Sequence, residues 1–108
     1  MRRHYVAVTE SASRDLDAII DYIHKQDSRA KAEYVLERIS GVIDGLAIAP
    51  ERGSYPPELL GLGVREYRQV FFKPYRVIYR VAGDTVYVHV IADGRRDMQS
   101  LLARRLLG

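Results

Sequence analysis

The pattern of apolar positions along the chain changes its period about halfway. Residues 5–8 alternate weakly and predict a short first strand. Apolar side chains then recur every three or four residues in two consecutive blocks, which predicts two amphipathic helices forming a hairpin. Thr9 or Ser11 can cap the first helix and Ser28 the second, because a hydroxyl oxygen accepts from the free amides of the first turn. The apolar stripes are Ala12, Leu16, Ile19, Ile20 and Ile23, then Val35, Ile39, Val42, Ile43 and Leu46.

Two glycines interrupt the second of these helices. Gly41 and Gly45 lie four residues apart, and each costs about 1 kcal/mol relative to Ala in a helix interior. We expect close approach to a neighbouring backbone to offset this cost. Pro50 then ends the helix.

The second half of the chain has the composition of strands. Residues 50–63 are rich in Pro and Gly and predict a loop. β-branched and aromatic residues then dominate three segments separated by turn residues. Residues 98–106 return to helical spacing and predict a helical tail. The three strand segments are residues 64–72, 75–81 and 85–92.

These elements predict an α+β fold in a single domain spanning residues 1–108, in the order β-αα-βββ-α. The helical hairpin is expected to pack on a small, mostly antiparallel sheet. Hydrophobic residues make up 47% of the chain and charged residues 29%, which is typical of a globular domain. The chain has no cysteine and no apolar run near the roughly 20 residues that cross a bilayer. We therefore expect a cytoplasmic protein with no membrane partner.

The net charge of +3 is distributed unevenly along the chain. Residues 1–64 hold eight Lys and Arg against ten Asp and Glu, whereas residues 65–108 hold nine against four. A basic second half favours an acidic partner, either a nucleic acid or an acidic protein segment. The alternative is a solvated surface with uneven charge, and the asymmetry alone does not distinguish RNA, DNA and protein.

The sequence offers no pattern typical of a metal or cofactor site. The acidic residues of the first helix, Asp15, Asp17 and Asp21, suggest a solvated face, because no further acidic cluster converges from the strands. The three histidines are scattered without ligand spacing. We therefore expect neither a metal nor a cofactor.

Three local strings, in this order, resemble the RelE/ParE superfamily of toxins from type II toxin–antitoxin modules, and the ParE-like branch more closely. The first is the opening helix, residues 13–23. The second is the segment 74–81, PYRVIYRV, which is similar to the family's Tyr-Arg strand. The third is the end of the last strand with the basic pair that follows it, residues 90–98.

The resemblance implies a toxin that a cognate antitoxin neutralises in a hetero-oligomer. Antitoxins of this kind are usually DNA-binding proteins with a tail that wraps the toxin, so operator DNA would be contacted only through the antitoxin. The edges of a small sheet and the groove against its helices suit such wrapping. RelE-like members cleave mRNA on the ribosome, whereas ParE-like members inhibit DNA gyrase without hydrolysing a substrate.

Cleavage of RNA without a metal needs a base, a cation at the phosphate and an acid for the leaving oxygen. The resemblance assigns cations to Arg76 and Arg96, and to Arg68 near a position where the cleaving branch carries Lys. It assigns no acid or base, because the chain has no Tyr or His from residue 97 to residue 108, where that branch usually carries one. Lys73 is a weak substitute for the base. The resemblance thus favours a gyrase inhibitor that is not an enzyme, with the ribosome-dependent endoribonuclease as the alternative.

The candidate surface for the target or the antitoxin is basic, with one apolar member. It comprises Arg68, Lys73, Arg76, Arg80, Arg95, Arg96, Met98 and Arg105. Two alternatives stay open. Arg76 can instead form a structural ion pair, and Met98 can pack in the core with Leu101 and Leu102.

A module that binds RNA without being toxic is a further alternative. Such a module is expected to interleave aromatic and basic side chains on one exposed face. Tyr75 and Tyr79 alternate with Arg76 and Arg80 in the strand segment 75–81, but alternation places the two sets on opposite faces. Stacking and charge would not cooperate there, which disfavours this function.

Overall fold

The computed structural model describes residues 3–108. It confirms the order β-αα-βββ-α, with one additional short helix in the predicted loop. The elements are β1 (Tyr5–Val8), α1 (Glu10–Gln26), α2 (Arg29–Asp44), α3 (Pro57–Leu60), β2 (Tyr67–Phe72), β3 (Tyr75–Ala82), β4 (Thr85–Asp93) and α4 (Met98–Leu102). A 3₁₀ turn, Gly45–Ala47, follows α2, and a π-helical turn, Ala103–Leu107, follows α4.

Side-chain caps fix where the helices begin. The Thr9 hydroxyl accepts from the amide of Ala12 at 3.2 Å, and the Ser28 hydroxyl accepts from the amide of Lys31 at 3.0 Å. Both satisfy amides of the first turn that have no partner inside the helix. The capping role predicted for Thr9 and Ser28 is therefore confirmed. No helix within residues 3–108 combines the length and apolarity that a membrane span requires.

The four strands form one sheet in the order β1-β4-β3-β2. β1 runs parallel to β4, and the other two pairings are antiparallel, which confirms a mostly antiparallel sheet. The register between β3 and β4 shifts at Ile78 and Tyr79, whose partners are Val90 and Val88. His89 is thus the extra residue of a bulge, and alternation along β4 reverses beyond it.

The sheet is covered on both faces, so the protein has two apolar clusters. α1 and α2 pack on one face, here called the helix face, against side chains that include Val77, Tyr79, Val86, Val88 and Ile91. α3, α4 and the end of the chain pack on the other, here called the tail face, against side chains that include Ile78, Val90 and Ala92. The bulge explains why Val88 and Val90 belong to different clusters despite their spacing of two.

The prediction for the glycines of α2 was wrong. A Cβ on Gly41 would meet nothing within 4 Å, and one on Gly45 would meet only the side chain of Arg52, at 2.6 Å. The close backbone approach occurs instead at Gly53, where a Cβ would lie 2.5 Å from the carbonyl oxygen of Gln69. The loop at Gly53 packs on β2 through paired bonds between Ser54 and Gln69.

Candidate functional site

Arg76 on β3 forms a bidentate and largely buried ion pair on the tail face. Its two Nη atoms donate to the two carboxylate oxygens of Glu58 on α3, each at 2.8 Å, and its Nε donates to Oε1 of Gln69 at 2.8 Å. Only 8% of Arg76 is exposed. The hydrogen bonds from Arg76 lower the pKa of the Glu58 carboxyl below its ordinary value. Of the two alternatives for Arg76, the structure therefore has the ion pair.

Glu58 was missed by the sequence reasoning. It lies in the Pro- and Gly-rich segment predicted as loop, 18 residues before its partner. Local spacing carries no signal for such a pair. Gly94 packs closely against the Arg76 side chain, because a Cβ at position 94 would lie 2.7 Å from Cδ of Arg76.

Arg68 is also held by the protein itself. Its Nη1 donates to the carbonyl oxygen of Gly53 at 2.9 Å, and its guanidinium lies 4.7 Å from the centre of the Tyr55 ring. These contacts tie the loop at Gly53 to β2. The side chain is half-buried, so part of its charge still faces solvent.

Arg105 fastens the end of the chain to the rest of the domain. It donates to both carboxylate oxygens of Asp15 on α1, at 2.9 and 3.0 Å, and to the carbonyl oxygen of His89 at 2.9 Å. Asp15 also accepts from the amide of Ile91 at 3.0 Å. The prediction that Asp15 belongs to a solvated face was therefore wrong, whereas Asp17 is exposed.

The remaining candidate residues differ in exposure. Met98 is only 4% exposed and packs with Leu101 and Leu102, as in the packed-core alternative. Lys73 and Arg96 are exposed on the surface. Arg95 is exposed as well and pairs with Asp93, whose pKa is lowered by hydrogen bonds from Arg95. Arg80 is half-buried.

A groove of about 390 Å³, here called the α1 groove, lies between α1 and the ends of β3 and β4. Its wall is mostly apolar, and charged side chains from α1, from the end of β4 and from the following turn also line it. The apolar lining residues are Ala18, Ile19, Tyr22, Ile23, Tyr75 and Ile91, and the charged ones are Asp15, Asp93, Arg95 and Arg96. This arrangement can hold an apolar segment that places acidic groups beside the two arginines.

The described residues contain few groups suited to acid–base chemistry. Within residues 3–108 no group of three or more His, Cys, Asp or Glu side chains is placed to hold a metal ion. His89 is half-buried, and burial followed by the charges of Arg80 and Arg105 lowers the pKa of its imidazole. It lies in the bulge of β4, away from the ion pair of Arg76.

Known proteins are similar to this chain over most of its length. A family model described as the ParE toxin of the type II toxin–antitoxin system parDE matches residues 6–98. Toxin ParE3 of Caulobacter vibrioides is 29% identical over 97 residues, covering 90% of this chain and 93% of that protein. The chromosomal ParDE toxin–antitoxin system from P. aeruginosa contains a chain with a TM-score of 0.70 and 23% identity, covering 84% of this chain and 96% of that one. The toxin–antitoxin complex RelBE2 from Mycobacterium tuberculosis gives a TM-score of 0.57 and 23% identity, covering 86% and 93%. This chain therefore belongs to the ParE toxin family of type II toxin–antitoxin systems.

Proposed function

We propose that this toxin acts by inhibiting DNA gyrase, and that a cognate antitoxin neutralises it. The observation that favours gyrase inhibition over RNA cleavage is the bidentate, largely buried ion pair between Arg76 and Glu58. A ribonuclease needs a cation that reaches the reacting phosphate. All three nitrogens of the Arg76 guanidinium are engaged by Glu58 and Gln69, and the side chain is almost entirely buried.

Among residues 3–108, the carboxylate in contact with Arg76 is poorly suited to act as a general base. That carboxylate is Glu58, and its lowered pKa makes it a weak base at neutral pH. An arginine side chain stays protonated under these conditions and is no substitute. Lys73 is exposed and remains the ribonuclease alternative's candidate for the base.

The tail supports the same proposal. Residues 97–108 contain no Tyr or His that would protonate a leaving oxygen. Leu101 and Leu102, at the place where the cleaving branch carries its tail aromatic, are buried on the tail face. The tail therefore contributes packing to the domain and offers neither a Tyr nor a His to a substrate.

The α1 groove is the proposed site for the antitoxin. Its apolar wall and the exposed Arg95 and Arg96 fit a segment that carries apolar and acidic side chains. The ParDE and RelBE2 neighbours are themselves toxin–antitoxin systems, which supports a hetero-oligomer with an antitoxin. In this proposal, operator DNA is contacted only through the antitoxin. Such a pair would act in the cytoplasm, where gyrase and chromosomal DNA are found.

Growth assays test this function directly. Induced expression of the chain is expected to stop growth, and co-expression of the neighbouring small gene's product is expected to restore it. Tyr22→Asp, a 67% exposed position in the α1 groove, should weaken antitoxin binding by about tenfold or more, because it buries a charge in the interface. The matched change Tyr34→Asp, 51% exposed on α2, should have little effect on binding. Unaffected growth despite abundant soluble protein would contradict the toxin function.

A further inference from the structure

Three side chains form a row across the sheet on the tail face. Tyr67 on β2 pairs in register with Arg80 on β3, and Arg80 pairs with Tyr87 on β4. Directly paired residues project from the same face of a sheet, so the three lie side by side. The His89 ring packs near both tyrosines, with its centre 5.7 Å from that of Tyr67 and 6.4 Å from that of Tyr87. We call these three residues, together with His89, the tyrosine–arginine row.

The row removes the sequence argument against a nucleic-acid surface. Along β3 the tyrosines and arginines do separate, since Tyr79 is fully buried on the helix face. The aromatic partners of Arg80 come instead from the two neighbouring strands. Strand pairing therefore places aromatic rings and a positive charge on one face, an arrangement that alternation within one strand disfavours.

The row is partly exposed to solvent. α4 covers the part of the tail face around Ile78 and Val90, and Tyr67 packs at the border of that cluster. All four residues of the row are half-buried. The guanidinium carbon of Arg80 lies 5.7 Å from the centre of the Tyr87 ring. Among residues 3–108, no carboxylate forms a salt bridge with Arg80, so its charge is not neutralised within the described part of the chain.

A polar cleft of about 290 Å³ adjoins Arg80. Arg65, Arg68 and Arg80 line it together with Glu51 and Glu66, so cations outnumber acids. The cleft lies beside the stacking row and is separate from the α1 groove. It offers a place for an anionic group next to the aromatic rings.

We propose that the row and the cleft bind single-stranded nucleic acid, with bases stacked on Tyr67 and Tyr87 and backbone phosphates at Arg80 and Arg65. Planar ligands use the faces of aromatic rings, and every base has such a face. An acidic peptide would use the arginines but gain little from the tyrosines, so the combination favours a nucleic acid. This is a second binding surface, in addition to the proposed gyrase and antitoxin interactions.

Fluorescence anisotropy with the purified full-length chain tests the proposal. Labelled single strands of about 12 nucleotides, one RNA and one DNA of the same sequence, should both bind, because they share base faces and phosphates. The corresponding duplex should bind more weakly. Tyr87→Leu and Arg80→Gln should each weaken binding of the single strands by at least about fivefold.

Matched controls separate the row from general charge. Tyr22→Leu changes an exposed tyrosine elsewhere, and Arg38→Gln removes an arginine that lies 5.6 Å from the Phe72 ring on the opposite side of the sheet. Both should keep the affinity within about twofold, since neither contacts the proposed strand. Amide shifts of the wild-type chain should change at residues 67, 80 and 87 on adding the single strand, which tests the site without relying on variants.

Three results would overturn the proposal. One is an equal loss of affinity in Arg38→Gln and Arg80→Gln, which would indicate unspecific charge attraction. Another is amide shifts confined to α1 in the wild-type chain. The third is tighter binding of a Glu-rich peptide that displaces the labelled strand from the row, which would make a protein segment the ligand.

Discussion

Glu58→Ala is expected to lower the free energy of unfolding by about 3–5 kcal/mol. The substitution leaves the guanidinium of Arg76 buried without its carboxylate partner. An unpaired buried charge is among the most destabilising changes that one substitution can produce. Urea unfolding at neutral pH measures the effect.

Matched variants identify the cause of this loss. Glu58→Gln keeps the shape but removes the charge and should lie between wild type and Glu58→Ala. The double variant Glu58→Leu with Arg76→Met should recover most of the stability, because apolar replacements of a buried pair are often close to neutral. A loss below about 1 kcal/mol in Glu58→Ala would show that Arg76 is solvated in solution.

The same pair makes stability depend on pH. Arg76 lowers the pKa of Glu58 in the folded state relative to the unfolded chain, so folding favours the ionised form of this carboxyl group. Its contribution is fully present above the unfolded-state pKa and is lost as the pH falls through the folded-state pKa. The difference between wild type and Glu58→Gln should therefore be large at neutral pH and shrink in acid.

Asp15→Ala should have the second largest effect, about 2–4 kcal/mol. It removes the acceptor for two of the three Arg105 hydrogen bonds and for the amide of Ile91, and it leaves a half-buried arginine against β4 without its carboxylate partner. The end of the chain loses its attachment to α1. Amide hydrogen exchange should become faster across residues 98–107 and at Ile91, while α2 stays protected.

Asp17→Ala is the matched control for this variant, because Asp17 is an exposed carboxylate on the same helix. It should change stability by no more than about 0.5 kcal/mol. Asp15→Asn can still accept from Ile91 and should lose less than Asp15→Ala. Equal behaviour of Asp15→Ala and Asp17→Ala would contradict the attachment of the tail through Asp15.

The fold was largely predictable because its elements follow local periods. The amphipathic spacing located α1 and α2, and the caps at Thr9 and Ser28 marked their starts. The site was less predictable because its main contacts join distant positions. Asp15 and Arg105 are 90 residues apart, and only the folded chain brings them together.

The bulge of β4 limited the sequence analysis in a different way. Residues 85–92 form a near-continuous apolar run, so nothing in the alternation marks His89 as an inserted residue. The faces of Val88, Val90 and their neighbours could not be assigned without it. The pairing of Tyr67 and Tyr87 with Arg80 also depends on register, which one strand's sequence does not contain.

Gyrase activity measured with purified protein tests the central claim most directly. The chain is expected to block supercoiling of relaxed plasmid by gyrase, and the cognate antitoxin is expected to relieve the block. The same preparation should produce no cleavage of mRNA on translating ribosomes. Ribosome-dependent cleavage that disappears in Arg96→Ala, with gyrase unaffected by the wild-type chain, would contradict the account.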